Sequence, residues 1–144
     1  MKLKEDRKSL LQDLLQNRED GRIKLFTVNT ILQLRNKFSS LFNEGTYIPL
    51  TISGKHKESI LAFARKKENQ AIVVAAPRFL TKVVSSGQLP IGDQVWGDTA
   101  IELPDGLSTI SWTNAFSAKQ VNSDKKLLVK ELYKEFPLGL LIHA

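Results

Sequence analysis

The first 43 residues carry their hydrophobic side chains at helical spacing. Leucines recur three or four positions apart among polar neighbours, which predicts an amphipathic helix over residues 6–17. Asp20-Gly21 interrupts the pattern, and a second helix is predicted over residues 23–37. Its apolar residues surround most of its circumference: Ile23, Leu25, Phe26, Val28, Ile31, Leu32 and Leu34. Such breadth indicates burial on more than one side, so we expect a packing partner beyond the first helix.

From residue 44 onward the hydrophobic period changes from that of a helix to that of a strand. Strands are predicted at Tyr47–Ile52, Ile60–Arg65, Ala71–Ala76, Thr99–Leu103, Leu107–Asn114, Leu127–Val129 and Leu138–Ile142. The second and third are predicted to pair as a hairpin buried on both faces, because both are almost continuously apolar. The fourth and fifth are predicted to form another hairpin around Pro104-Asp105-Gly106.

This order of elements predicts a mainly β fold of the α+β class. A two-helix segment, residues 1–43, precedes an antiparallel β-sandwich domain, residues 44–144. At 144 residues the chain is long enough to bury one sizeable core.

Composition narrows the class of protein mainly by exclusion. The chain has no cysteine, which excludes disulfides, thiolate zinc sites and cysteine catalysis and suits a cytoplasmic location. No apolar run approaches the roughly 20 residues that a membrane span needs. The first residues also lack the apolar core of a signal peptide. We therefore expect no membrane partner.

The net charge of +6 is confined to the first half of the chain. Residues 1–70 contain 14 basic and 8 acidic side chains, and residues 71–144 contain 7 of each. The basic residues are interrupted by acidic ones, and no aromatic residues interleave with them to stack on bases. The pattern predicts a solvated surface rather than a nucleic-acid site.

The sequence contains no self-sufficient catalytic set. Its two histidines, His56 and His143, lack the spacing of a metal or triad motif. A glycosidase needs two carboxyl groups about 5–9.5 Å apart, depending on whether it retains or inverts configuration. Asp98 and Glu102 share one face of a predicted strand but are separated by about 13 Å along it. The sequence leaves open a carboxylate pair of Asp98 and Asp105 across the predicted hairpin. Apart from that pair, we expect no catalytic residue, metal ion or cofactor.

Aromatic residues are the remaining candidates for chemistry. Sugar rings stack their C–H faces on exposed aromatic rings, although most such rings fill protein cores. Four residues are considered: Tyr47, Trp96, Trp112 and Tyr133. Trp112 lies on a predicted strand and is expected to be buried. Trp96 lies in a predicted loop between Gly92 and Gly97, so it is expected to be the more exposed of the two tryptophans and is the candidate carbohydrate contact.

Several short blocks, in order and spacing, resemble the carboxy-terminal part of the maltooligosyl trehalose synthase family within the α-amylase superfamily. The blocks are Asp20–Leu25, Tyr47–Leu50, Leu61–Arg65, Val95–Thr99, Ile101–Pro104, Glu131–Leu132 and Phe136–Leu141. The resemblance implies that residues 22–37 correspond to the last helix of a (β/α)8 barrel, and residues 44–144 to the β-sandwich that follows it.

The resemblance also implies a function. Enzymes of this family convert the reducing-end α-1,4 linkage of a maltooligosaccharide to an α,α-1,1 linkage, an isomerase-type step of trehalose biosynthesis. Their catalytic carboxylates lie upstream in the barrel and have no counterparts here, so we expect this chain alone to be inactive. The expected partners are the missing barrel domain, a maltooligosaccharide, and a second copy of the chain bound through exposed helices. The alternative is a stand-alone carbohydrate-binding or scaffolding β module.

Overall fold

A computed structural model describes residues 2–108 and 110–144. The helices are α1 (Lys2–Gln16), α2 (Arg22–Lys37), α3 (Ser39–Glu44), α4 (Asp93–Trp96) and α5 (Val129–Leu132). The strands are β1 (Thr46–Pro49), β2 (Thr51–Ser53), β3 (Ile60–Lys67), β4 (Gln70–Pro77), β5 (Ala100–Glu102), β6 (Ser111–Asn114), β7 (Gln120–Asn122), β8 (Lys126–Leu128) and β9 (Gly139–His143). The predicted combination of mostly antiparallel sheet with a few helices is confirmed.

The strands form two antiparallel sheets. One has six strands in the order β1-β3-β4-β9-β6-β7, and the other has three in the order β2-β5-β8. The predicted hairpin of β3 and β4 is present, with pairing from Ile60 opposite Pro77 to Lys67 opposite Gln70. This hairpin and β9 form the middle of the six-stranded sheet.

The segment predicted as one strand, Tyr47–Ile52, is divided between the two sheets. β1 pairs with β3, whereas β2 pairs with β5. Pro49 ends the first strand because it has no N–H to continue the ladder. Leu50 connects β1 of the large sheet to β2 of the small sheet. It is buried, and its N–H donates to the carbonyl of Ala62 at 3.2 Å.

The second predicted hairpin is wrong. β5 pairs with β2 and β8 in the small sheet, whereas β6 pairs with β7 and β9 in the large sheet. Between them the chain makes a single helical turn, Asp105–Leu107, and the Leu107 side chain is fully buried. Burial of this leucine anchors the connection in the core, which a solvated hairpin turn would not do. Thr109, inside the strand predicted there, lies outside the described residues.

Two hydrophobic clusters lie on opposite sides of the six-stranded sheet. The first is shared by both sheets and contains Val73 of β4 and Ile101 of β5. The second joins the helices to the sheet and contains Leu11 of α1 and Ile72 of β4. Adjacent residues of β4 thus point into different clusters, which confirms the predicted burial of this strand on both faces.

The other strand of that hairpin, β3, departs from the prediction. Its Ala62 and Ala64 are buried in the first cluster. On the opposite face Leu61 is 54% exposed and Phe63 is only partly buried. The helices cover β4 and β9 but leave this part of β3 accessible.

The two long helices are joined by a hydrogen-bonded ionic contact. Arg22, the first residue of α2, contacts Asp13 of α1 at 3.0 Å and Asp20 of the connection at 2.7 Å. The hydrogen bond from the Arg22 guanidinium lowers the pKa of the Asp13 carboxyl below its usual value. The pKa of Asp20 is also lowered, first by the hydrogen bond from the Arg22 backbone N–H and then by the guanidinium. The contact fixes where α2 begins relative to α1. No helix among the described residues is long and apolar enough to cross a lipid bilayer.

Candidate docking and ligand surfaces

Trp96 is buried, so the prediction that it is the more exposed of the two tryptophans is wrong. It ends the one-turn helix α4, and none of its surface is accessible to solvent. Its indole Nε1–H donates to the carbonyl of Pro90 at 2.8 Å, and the ring of Tyr133 packs edge-on at 5.4 Å. In this position the indole offers no free face to a sugar. It packs in the first hydrophobic cluster, to which residues of both sheets contribute.

Trp112 and Tyr133 are also fully buried. Trp112 donates its Nε1–H to Ser123 Oγ at 2.8 Å, which confirms the expectation that it belongs to the core. The Tyr133 hydroxyl finds no hydrogen-bond partner among the described residues. Burial raises the pKa of Tyr133 far above its usual value, so the phenol stays neutral. Neither residue can contribute to an external platform.

Tyr47 is the aromatic candidate that the structure places at the surface. It lies on the edge strand β1 and is 54% exposed. The ring of Phe63 lies 5.3 Å away at an interplanar angle of 34°, and the guanidinium of Arg65 lies 5.8 Å from the Tyr47 ring centre. The sequence pattern favoured Trp96 over Tyr47.

Both histidines pack against tryptophans. The ring of His56 meets Trp96 edge-on at 6.0 Å, and that of His143 meets Trp112 at 6.1 Å. His143 also donates its Nδ1–H to the carbonyl of Ser111 at 2.7 Å. Within residues 2–108 and 110–144, no cluster of three or more His, Cys, Asp or Glu side chains could hold a metal ion. These contacts give the two imidazole rings structural roles.

The candidate carboxylates lie in separate local settings. Asp98 accepts a hydrogen bond from the backbone N–H of Lys55 at 3.0 Å and so caps the turn after β2. Glu102 ends β5, opposite Thr51 of β2. The hairpin that would have brought Asp98 towards Asp105 does not form. The strand pairing therefore gives no support to a carboxylate pair built on the predicted hairpin.

Helix α2 has apolar residues on two opposite sides. Phe26 and Leu34 pack against the second cluster, although no residue of the helix is fully buried. On the other side Leu25, Val28 and Leu32 are 72%, 45% and 51% exposed. Leu25 and Leu34 are nine residues apart, about 180° around a helix. We call Leu25, Val28 and Leu32 the exposed stripe. The expected second apolar side of α2 is therefore present, and it is accessible to solvent.

A groove of about 730 Å³ lies between α1, α2 and the ends of β6 and β9. The exposed side chains of Asn29 and Gln33 contribute to its wall. Arg7, also in the wall, lies 5.7 Å from the Phe26 ring centre and donates to the carbonyl of Phe116 at 3.4 Å. Arg7 therefore holds α1 against its neighbours, and the sequence pattern gave no sign of this groove.

Comparison with known proteins identifies what the chain is similar to. No known protein-family profile matches it. Two proteins, from two strains of Mycobacterium tuberculosis, are each 27% identical to it over 119 residues and are described as maltooligosyl trehalose synthase. The chain is similar to a small part of maltooligosyl trehalose synthase. The match covers 83% of this chain but only 13% of the length of those curated relatives.

Solved structures agree on the fold. The maltooligosyltrehalose synthase of Arthrobacter ramosus, and a mutant of the same enzyme, match with a TM-score of 0.66 at 23% identity. The match covers 96% of this chain and 17% of the enzyme. The resemblance noted in the sequence is therefore confirmed: both comparisons lead to maltooligosyl trehalose synthase, and in both this chain corresponds to a minor portion of the larger protein.

Proposed function

We propose that this chain is the carboxy-terminal, non-catalytic part of a maltooligosyl trehalose synthase. Such an enzyme converts the reducing-end α-1,4 linkage of a maltooligosaccharide to an α,α-1,1 linkage in trehalose biosynthesis. One observation carries the proposal: the chain matches over most of its own length but over only 13% and 17% of the larger proteins. A stand-alone module is less well supported, because these relatives are much longer enzymes.

In this proposal residues 1–43 are the end of a barrel-like helical segment and residues 44–144 are a β-sandwich domain. The first hydrophobic cluster, shared by the two sheets, supports face-to-face packing of a sandwich. The absence of cysteine supports a cytoplasmic location.

The exposed stripe of α2 is where we place the missing catalytic domain. Its three side chains are aliphatic and lie on the side of the helix opposite to Phe26 and Leu34. Contiguous apolar surface of this kind usually marks an interaction site. A domain packed there would cover the side of α2 that this chain leaves accessible. A second copy of the chain is the competing occupant in solution.

The isolated chain should not transform maltooligosaccharides. Asp98, Glu102 and Asp105 occur in separate settings, and the first of them already caps a turn. Purified chain incubated with maltopentaose should therefore leave the number of reducing ends unchanged. Loss of reducing ends that Asp98→Asn abolishes would contradict the non-catalytic assignment.

A chimaera tests the docking role directly. This chain would replace the matched 119 residues of the Mycobacterium tuberculosis protein. Leu32→Asp would be compared with its neighbour Gln33→Asp, since both residues are exposed on α2 but only Leu32 belongs to the exposed stripe. We expect the chimaera to convert maltopentaose to a non-reducing product, Leu32→Asp to lower the yield of active protein strongly, and Gln33→Asp to leave it nearly unchanged.

The same pair of variants in the isolated chain provides the control. Because Leu32 is already 51% exposed there, Leu32→Asp should lower the stability of the isolated chain by only about 1 kcal/mol, through lost partial burial and lower helix propensity. Equal tolerance of Leu32→Asp in the chimaera and in the isolated chain would contradict docking through the exposed stripe. Sedimentation of the isolated chain reports whether a second copy covers the stripe: a dimer broken by Leu32→Asp would favour that occupant.

A further inference from the structure

The helix-facing side of the six-stranded sheet has an uncovered corner. Ile72 and Leu140 on this side lie beneath the helices and are buried. Towards the sheet edge, Tyr47 and Leu61 are each 54% exposed, and Pro49 is exposed as well. The corner therefore has an apolar surface that no element among the described residues covers.

The strand register places the aromatic side chains of this corner together. Tyr47 lies opposite Arg65, and Pro49 lies opposite Phe63, in the pairing of β1 with β3. Residues directly opposite one another project from the same side of a sheet, so Tyr47 and Phe63 are diagonal neighbours. Their ring centres are 5.3 Å apart. We call Tyr47, Pro49, Leu61 and Phe63 the Tyr47 patch.

Polar groups border the Tyr47 patch on one side. A cavity of about 370 Å³ adjoins Tyr47, Pro49 and Leu61, and Lys57 and Glu58 also line it. Neither the Lys57 ammonium nor the Glu58 carboxylate has a hydrogen bond or ion pair within the described part of the chain. Both side chains are exposed, so the Lys57 ammonium is accessible to a ligand on the patch as a hydrogen-bond donor and the Glu58 carboxylate as an acceptor.

We propose that the Tyr47 patch binds the glucose units of an α-1,4-linked glucan. A glucose ring presents an apolar C–H face, which suits an exposed aromatic ring beside aliphatic carbon, and a rim of hydroxyl groups. Those hydroxyls would donate to the Glu58 carboxylate and accept from the Lys57 ammonium. The identity of the glucan rests on the proposed function, since the relatives are described as acting in maltooligosyl chemistry.

The chemistry of the patch separates it from the exposed stripe. The stripe consists of Leu25, Val28 and Leu32, which have no hydrogen-bonding group and suit a protein surface. The Tyr47 patch combines an aromatic ring and a phenolic hydroxyl with the charged side chains of Lys57, Glu58 and Arg78, which line the adjoining cavity. A hydroxyl-rich, uncharged ligand can use all of these groups, so the two surfaces have different occupants.

Amide chemical-shift mapping of the full ¹⁵N-labelled chain with maltoheptaose tests this proposal. Saturable shifts are expected in β1 and β3 around Tyr47 and Leu61. Tyr47→Ala should weaken maltoheptaose binding about ten-fold, the worth of one aromatic contact. Leu128→Ala, which removes a 41% exposed side chain from β8, should leave binding unchanged.

Two further variants keep the test decisive. Glu58→Ala changes an exposed residue in a short turn, so it should fold normally and bind maltoheptaose several-fold more weakly. Tyr47→Phe keeps the ring and should bind better than Tyr47→Ala. The proposal is overturned if no saturable shifts occur, if the shifts are confined to the groove around Asn29 and Gln33, or if Tyr47→Ala and Glu58→Ala both bind as the unmodified chain does.

The outcome is distinguishable from that of the proposed function. A chain that binds no glucan, while Leu32→Asp still disables the chimaera, overturns glucan binding at the Tyr47 patch and leaves the docking role intact. If the chain binds the glucan but Leu32→Asp has no effect in the chimaera, the docking role is overturned and glucan binding at the Tyr47 patch stands. If Tyr47→Ala lowers the yield of folded chimaera while the isolated chain binds no maltoheptaose, the patch is a protein contact and glucan binding there is refuted.

Discussion

Replacing Trp96 by alanine should destabilise this chain much more than replacing Phe63. Trp96 is fully buried, and its Nε1–H satisfies the carbonyl of Pro90. Emptying a buried aromatic site costs about 3–5 kcal/mol of unfolding free energy. Leaving the buried carbonyl unpaired adds about 1–3 kcal/mol. Since a domain is typically stable by about 5–15 kcal/mol, Trp96→Ala should consume a large part of the total.

Phe63→Ala should cost far less because the ring is only partly buried and lies beside the exposed ring of Tyr47. Full burial of such a side chain is worth about 1.5–3 kcal/mol, so partial burial gives about 1 kcal/mol, and no closed cavity is left behind. The two variants should therefore differ by about 3 kcal/mol or more. Trp96→Phe, which keeps a ring but loses the donor, should fall between them.

Urea denaturation followed by circular dichroism measures this difference. For slopes of about 1–3 kcal/mol per M of urea, a gap of 3 kcal/mol separates the two midpoints by about 1 M or more. If Trp96→Ala unfolds at the same urea concentration as Phe63→Ala, or at a higher one, the buried position of Trp96 is refuted. Trp96 would then return as a candidate carbohydrate contact.

Two other substitutions test local packing. Gly54→Ala should lower the melting temperature well below that of its control Gly87→Ala, because Gly54 has φ +99° and an added Cβ would lie 2.7 Å from Thr99 Cα. Gly87 has φ +81° with nothing within 4 Å, so its variant should lose only about 1 kcal/mol, and equal melting temperatures would contradict this account. Tyr133→Phe removes a buried hydroxyl without a partner and should leave stability unchanged or raise it by about 1 kcal/mol in denaturant titrations, whereas a clear loss would mean that the hydroxyl is hydrogen-bonded.

The sequence pattern predicted elements better than their partners. The spacing of apolar residues was sufficient to locate α2 and the β3–β4 hairpin along the chain, because the hydrophobic period differs between a helix and a strand. The same spacing did not predict the pairing of the strand at Thr99–Leu103, because its partner strands are distant in sequence. Pro104-Asp105-Gly106 suggested a hairpin turn there. In the structure this segment instead connects a strand of the small sheet to a strand of the large sheet, and the Leu107 side chain is buried in the core.

The aromatic candidates show the same limit at the level of a site. Trp96 was predicted to be the more exposed tryptophan because glycines flank it, but a large indole with one donor can end a one-turn helix and still fill a core. Tyr47 was predicted to lie on a strand, and what exposes it is its place at the sheet edge. Strand order depends on long-range pairing, so no local pattern could have chosen between these two residues.

The order in which the chain visits its two sheets constrains how it can fold. Each strand of the small sheet, β2, β5 and β8, is preceded and followed along the chain by a strand of the large sheet. The small sheet therefore contains no local hairpin: Ile52 must find Ile101, and Ile101 must find Leu127. Contacts this far apart in sequence close slowly, whereas β3 and β4 meet across a tight turn. We therefore expect the β3–β4 hairpin to form early and the small sheet, which joins three segments distant in sequence, to form last.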